Sequence, residues 1–175
     1  MRILGIDPGL QRTGYGLIDV TATGRATIVE AGVIRADARK PLENRVREIY
    51  DGLSSVFAEF RPDIAVVEEL FSTYGHPKTA ILMGHARGVI FLAAAQAEVP
   101  VTSYAPNRIK QSVTNSGHAD KRQVQRAVMQ AFALTQPPQP VDVSDALAIA
   151  LCHARMIGSP LARQLGAATT RRRKG

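Results

Sequence analysis

The first 34 residues constrain the fold most. Met1–Ile6 is apolar and β-prone and breaks at Asp7-Pro8-Gly9, which reads as a strand followed by a tight turn. Gly14–Val20 reads as a second strand and Ala26–Ile34 as a third, with Gly24 in the turn between them. Three strands so closely spaced can form an antiparallel meander. The remainder alternates. Leu42–Phe60 carries apolar residues at 42, 46, 49, 53, 56, 57 and 60, a helical spacing with a polar opposite face, and Arg61-Pro62-Asp63 ends it. Ile64–Val67 is a short continuous apolar run, typical of a strand buried on both faces. Thr79–Ala97 predicts a long helix, apolar on nearly all sides. Val101–Tyr104 predicts a strand and Lys121–Leu134 an amphipathic helix. Pro137-Pro138-Gln139-Pro140 reads as a rigid linker, and Ser144–Ile157 as a last helix stopped by Gly158 and Pro160. The expected class is α/β, a mixed five-stranded sheet with its first three strands antiparallel and helices on both faces.

The chain has 175 residues, 45% hydrophobic and 21% charged, which suits one domain with a real core. Residues 1–157 are expected to form it, and 158–175 a basic, disordered tail. No membrane span is expected, since Thr79–Ala97 contains His85, Arg87 and Gln96, and Arg2 is followed by no signal-peptide pattern. Cys152 is the single cysteine, which fits a reducing, cytoplasmic setting and argues against a thiolate metal cluster. The net charge of +7 is uneven. Of 22 Lys and Arg, five lie in 158–175, where there is no acid; the other 17 face 15 acids, a balance of +2. Net charge alone therefore does not identify an anionic partner.

Four acids stand out by position. Asp7 closes the first strand, Glu68 follows the buried run, and Asp142 and Asp145 open the last helix three residues apart, on one face. If the strands of Asp7 and Glu68 are neighbours, both carboxylates leave the same end of the sheet. Carboxylates within about 4–6 Å repel, and one would take up a proton unless cations intervene. Mg²⁺ prefers such hard oxygens and keeps room for a phosphate. Two ions about 3.5–4 Å apart can activate water and steady a leaving oxygen. Taken singly, each acid also has an ordinary reading. Asp-Pro-Gly is turn chemistry, Glu68 and Glu69 can end a strand, Asp142 can cap a helix, and Asp145 suits a helix N-terminus.

The ordered set of motifs is more specific. Gly5-Ile-Asp-Pro-Gly9 with Thr13-Gly-Tyr-Gly16, Val67-Glu-Glu-Leu-Phe71, His85-Ala-Arg-Gly88 and Asp142-Val-Ser-Asp-Ala-Leu-Ala-Ile-Ala150 resembles RuvC-type Holliday-junction resolvases, in order from residue 1 to about 157. The resemblance implies an RNase H-like fold, a homodimer paired through the Thr79–Ala97 helix, and metal-binding acids at Asp7, Glu68, Asp142 and Asp145. It implies two Mg²⁺ per site, with Mn²⁺ as the alternative, and paired nicks in four-way junction DNA leaving 5′-phosphate and 3′-hydroxyl ends. It further implies work beside a branch-migration motor of the RuvA/RuvB type. Two positions depart from the pattern: Glu69 stands where many relatives carry a neutral amide, and Asp142 occupies a place that is Asp or His.

Lys110 and Lys121 match family positions for DNA contact and catalysis. Their neighbours, Asn107-Arg108-Ile-Lys110 and Thr114–Lys121, read as polar, flexible backbone where bases, Arg108 included, can meet phosphates. Phe71 matches an aromatic that relatives set against junction bases, and Tyr74 can share that role; a core position is the other reading of Phe71. His76, His85, His118 and His153 show no ligand spacing. Three rival classes are an actin-like ATPase, an RNA-cutting enzyme of the same fold, and a non-enzymatic junction binder. The first needs a second phosphate loop and a glycine-rich adenosine site, and the chain has no second Asp-X-Gly and no Gly-Gly. The last has no reason to gather acids beside DNA.

Overall fold

A computed structural model describes residues 1–70 and 77–158. The elements are β1 (Arg2–Asp7), β2 (Arg12–Val20), β3 (Ala26–Arg35), α1 (Leu42–Phe60), β4 (Ile64–Glu68), α2 (Pro77–Gln96), β5 (Val101–Tyr104), α3 (Pro106–Thr114), α4 (Lys121–Ala131) and α5 (Val141–Gly158). The sheet order is β3-β2-β1-β4-β5. The first three strands pair antiparallel, because their short turns leave no room for the crossover that parallel strands need. The β4 strand joins β1 in parallel, with α1 as the crossover, and β5 joins β4 in parallel.

Strand alternation divides the core in two. Leu4, Ile6, Ala65 and Val67 face α1 and α2, packing with Ile49, Leu53, Phe57, Ala86 and Ile90. Ile3 and Val66 face the layer of α3, α4 and α5. The same parity sends Gly5, Asp7 and Glu68 toward α5. Gly5 pairs with Gly16 and Asp7 with Gly14, so three glycines floor the path of α5. A Cβ on Gly5 would stand 2.2 Å from the Ala146 carbonyl oxygen, and one on Gly14 would stand 2.3 Å from that of Asp142. The helix therefore lies against bare strand backbone with its N-terminal turn over the end of β1. Gly5→Ala should displace α5 and cost about 1–3 kcal/mol. Thermal unfolding checks this, and an unchanged melting temperature would remove the glycine floor from the account.

The expected elements are all present, with one helix added and several ends moved. The stretch expected to be flexible around Asn107–Lys110 is helix α3. Pro106 sits at its first turn, where proline's missing N–H is harmless, and Ile109 and Val113 are buried beneath it. Nine residues give too little periodicity to compete with a proline that looks like a breaker. The β2 strand starts at Arg12 rather than Gly14, and α5 starts at Val141 rather than Ser144, which places Asp142 inside the first turn and not at the cap. The α4 helix begins with a capping box between Asp120 and Gln123, worth about 1 kcal/mol.

Candidate active site

The last register pair of β1 and β4 is Ile6 with Val67, so Asp7 and Glu68 stand side by side one residue later, on the α5 face. Gly14, paired with Asp7, lets the first turn of α5 descend over them. Asp145 then reaches the same place. Asp7, Glu68, Asp145, Lys110 and Lys121 line one cleft of about 220 Å³, walled by Ile109, Val124, Ala148 and Ile149. Asp142, three residues before Asp145 on α5, lies outside that lining and 3.9 Å from the Arg12 guanidinium. Larger grooves, of about 710 Å³ beside Phe132 and Leu151 and about 870 Å³ between the ends of α1 and α2, hold none of the expected site residues.

The electrostatics follow from this crowding. Asp7 is pushed up to about 8, first by burial and then by Asp145, Glu68 and Asp142, with only Lys121 opposing. Glu68 is raised by burial and by Asp145, against Lys110 and Lys121. Asp145 is raised by burial and by Asp142, against the Lys121 ammonium 3.8 Å from its carboxylate. The charges acting on these acids do not include Glu69. The Glu69 side chain is exposed, and the residue's backbone N–H donates to the Tyr104 carbonyl, 3.0 Å away, extending the β4–β5 ladder.

A cluster of hard oxygen donors with too few cations fits divalent metal of the Mg²⁺ class. Among the described residues no three His, Cys, Asp or Glu side chains converge as a preformed ligand group. An open cleft with few direct carboxylates is the Mg²⁺ mode, in which water and phosphate complete the shell. Neither thiol nor imidazole competes here. Cys152 is buried, and His153 is buried with its Nδ1 2.9 Å from the Tyr104 hydroxyl.

Placement of the other expected residues is mixed. Arg108 is exposed on α3 outside the cleft lining, where its charge acts on Tyr104 and Cys152. Phe71 and Tyr74 lie outside the described residues, as does the tail from 159. One residue given no role in the sequence reading belongs to the site's frame. Arg87 of α2 donates from Nε to the Glu68 carbonyl at 3.2 Å and from Nη2 to the Ser103 hydroxyl at 2.7 Å, with its guanidinium 4.4 Å from the Phe91 ring. It ties the ends of β4 and β5 to α2 and so orients Glu68. The arginine in the His85–Gly88 motif was the available signal.

Residues 3–153 match the family described as crossover junction endodeoxyribonuclease RuvC. The chain belongs to the RuvC family. A RuvC crossover junction endodeoxyribonuclease of Rhodopirellula baltica is 50% identical over 93% of this chain and 91% of its own length. One from Chloroflexus aurantiacus is 44% identical over 88% and 93%. Thermus thermophilus RuvC in complex with Holliday junction substrate superposes with a TM-score of 0.83 at 36% identity, covering 89% of this chain and 94% of that one. The yeast mitochondrial Holliday junction resolvase Ydc2, at 13% identity and a TM-score of 0.62, shares the fold. Membership makes the chain a junction endonuclease with the RNase H-like fold of the RuvC resolvases.

Proposed function

We propose that the protein resolves four-way DNA junctions by paired, symmetric nicks that leave 5′-phosphate and 3′-hydroxyl ends, serving recombination and repair in the cytoplasm. The observation that carries this is that Asp7, Glu68 and Asp145 line one cleft together with Lys110 and Lys121. Asp7, Glu68, Asp142 and Asp145 would hold two divalent cations, Mg²⁺ or Mn²⁺, which when bound supply Lewis acidity and an activated water at the scissile phosphate.

The chain's own groups do the rest. Arg87 and the β1–β4 register fix Glu68 beside Asp7. The walls of Ile109 and Ile149 keep water from one side of the acids. Lys121, paired with Asp145 across 3.8 Å and otherwise largely exposed, is placed to hold a phosphate oxygen and offset charge developing on it. Lys110 meets the same strand from α3, and Phe71 and Tyr74 are assigned to unpaired bases at the crossover. Arg108 contacts backbone outside the cleft. Lys110→Ala and Lys121→Ala should each flatten the salt dependence of junction binding by about 0.9 in log–log slope if they bind phosphate in the ground state. A lysine that meets only the transition state lowers the rate and leaves binding alone. Wild-type rates and affinities in both variants would remove them from the site.

A homodimer paired through α2 supports two cuts. Ile81 is 63% and Leu92 52% exposed on that helix, and nothing stands within 4 Å of where Cβ atoms on Gly84 and Gly88 would be. A two-fold dimer presents two clefts to a substrate of near-two-fold symmetry. The branch-migration motor is the expected companion. Substrate class is tested by presenting a four-way junction, a linear DNA duplex and an RNA–DNA hybrid at equal concentration. Preferential cutting of the junction is expected; preferential cutting of the hybrid favours the RNA-directed reading.

A further inference from the structure

We infer that Arg12 and Arg35 form a second phosphate-binding site, on the flank of the cleft opposite Lys110 and Lys121, for the backbone of the strand being cut. The inference rests on the DNA reading above. Arg12 opens β2 and Arg35 closes β3, and the two are direct cross-strand partners. Their parity is fixed by their neighbours. Gly14, two residues after Arg12, lies under Asp142 of α5, and Val33, two residues before Arg35, packs in the α5-side core. Both guanidinium groups therefore leave the sheet on the α5 face, at the end of the sheet that carries Asp7.

Like charges directly opposite on one face repel, and an anion bound between them would relieve that repulsion. The nearby acids do not serve both. Asp142 lies 3.9 Å from Arg12. Asp37 is taken by Arg39, and Glu48 by Lys40. Arg45, on the other face, donates to the Leu10 carbonyl at 3.0 Å. Among the described residues Arg35 has no ion-pair partner, and both arginines are exposed. Two forked donors side by side match phosphate oxygens. A strand whose scissile phosphate lies over Asp7, Glu68 and Asp145 has Lys110 and Lys121 on one flank. On the other flank, past Asp142, its backbone meets Arg12 and Arg35. The ion pair with Asp142 holds Arg12 at that edge before DNA arrives.

The test is the salt dependence of junction binding on an Asp7→Asn parent, which keeps the substrate intact. Arg35→Gln touches no acid and should lower the log–log slope by about 0.9; Arg12→Gln with Arg35→Gln should lower it by about 1.8. Affinity at low salt should fall roughly tenfold per arginine, as for a lost charge-assisted hydrogen bond. Arg35→Lys should keep the slope, since a point charge still releases a counterion. Arg35→Gln should melt no lower than the parent, because it removes a like-charge contact. A parent that binds while the double variant keeps its slope overturns the arginine site alone. So does an Arg35→Gln protein that melts well below the parent at an unchanged slope, which would make Arg35 structural. A parent that fails to bind a junction contradicts the proposed function and the inference with it.

Discussion

Asp7→Asn, Glu68→Gln and Asp145→Asn are each expected to lower single-turnover cleavage of a four-way junction by about 10²- to 10³-fold, the scale of losing an electrostatic stabiliser of the transition state. Junction binding should survive, and at low salt should tighten, because each change removes a negative charge from a surface that must accept phosphate. The three side chains line one cleft and reach it by two constraints: strand parity for Asp7 and Glu68, the glycine floor for Asp145. Asp142→Asn should be the mildest of the four, since its carboxylate stands outside the cleft lining beside Arg12. A variant at Asp7, Glu68 or Asp145 that cuts at near wild-type rate is not part of the reacting centre.

The second large effect is on stability and runs against the usual acid-denaturation trend. Asp7 is raised from an ordinary 3.8 to about 8 in the folded protein. Below 3.8 both states hold the proton, and nothing is gained or lost. Between 3.8 and 8 the unfolded chain has released it while the folded chain keeps it, so stability falls as pH rises, by about 1.4 kcal/mol per pH unit for this group. Above 8 the loss is complete. Glu68 and Asp145 are raised as well and act in the same direction. Metal-free protein should therefore lose about 2 kcal/mol between pH 6 and pH 8, a fall in melting temperature of roughly 5 °C. Asp7→Asn should flatten that dependence and melt above wild type at pH 8. Mg²⁺ should stabilise wild type more at pH 8 than at pH 6. Thermal unfolding in chelator across this range checks all three, and a wild-type melting temperature that rises from pH 6 to pH 8 contradicts the crowding of acids.

Much of this site was legible before the fold. Apolar runs marked β1 and β4 as strands, and only Ile64–Val67 as buried on both faces; an acid ending each would share a sheet end if the two were neighbours, and the parallel β1–β4 pairing makes them so. The three-residue spacing of Asp142 and Asp145 placed a second pair on one helix face. What pattern could not supply was the depth of contact. Gly5, Gly14 and Gly16 lie in the apolar strand runs with nothing in the pattern to mark them, yet they are what lets α5 rest on the sheet, and only the register pairs them. Helix α3 was hidden because Pro106 resembles a stop signal and its apolar stripe is only Ile109 and Val113. Lys110 consequently sits on a rigid element rather than in a loop. Arg87 escaped because a long helix apolar on nearly all sides conceals which of its few polar residues turns inward. Arg12 and Arg35 are 23 positions apart in sequence and meet only across β2 and β3.

The most direct measurement is strand-resolved cleavage of a synthetic four-way junction with end labels on all four arms, in Mg²⁺ and in chelator. No cutting is expected in chelator. In Mg²⁺, nicks are expected at symmetric positions in two opposing strands, giving ends that ligase seals. Cutting that persists in chelator, or Mg²⁺-dependent nicks scattered over all four strands and equally over linear duplex, would contradict the proposed function.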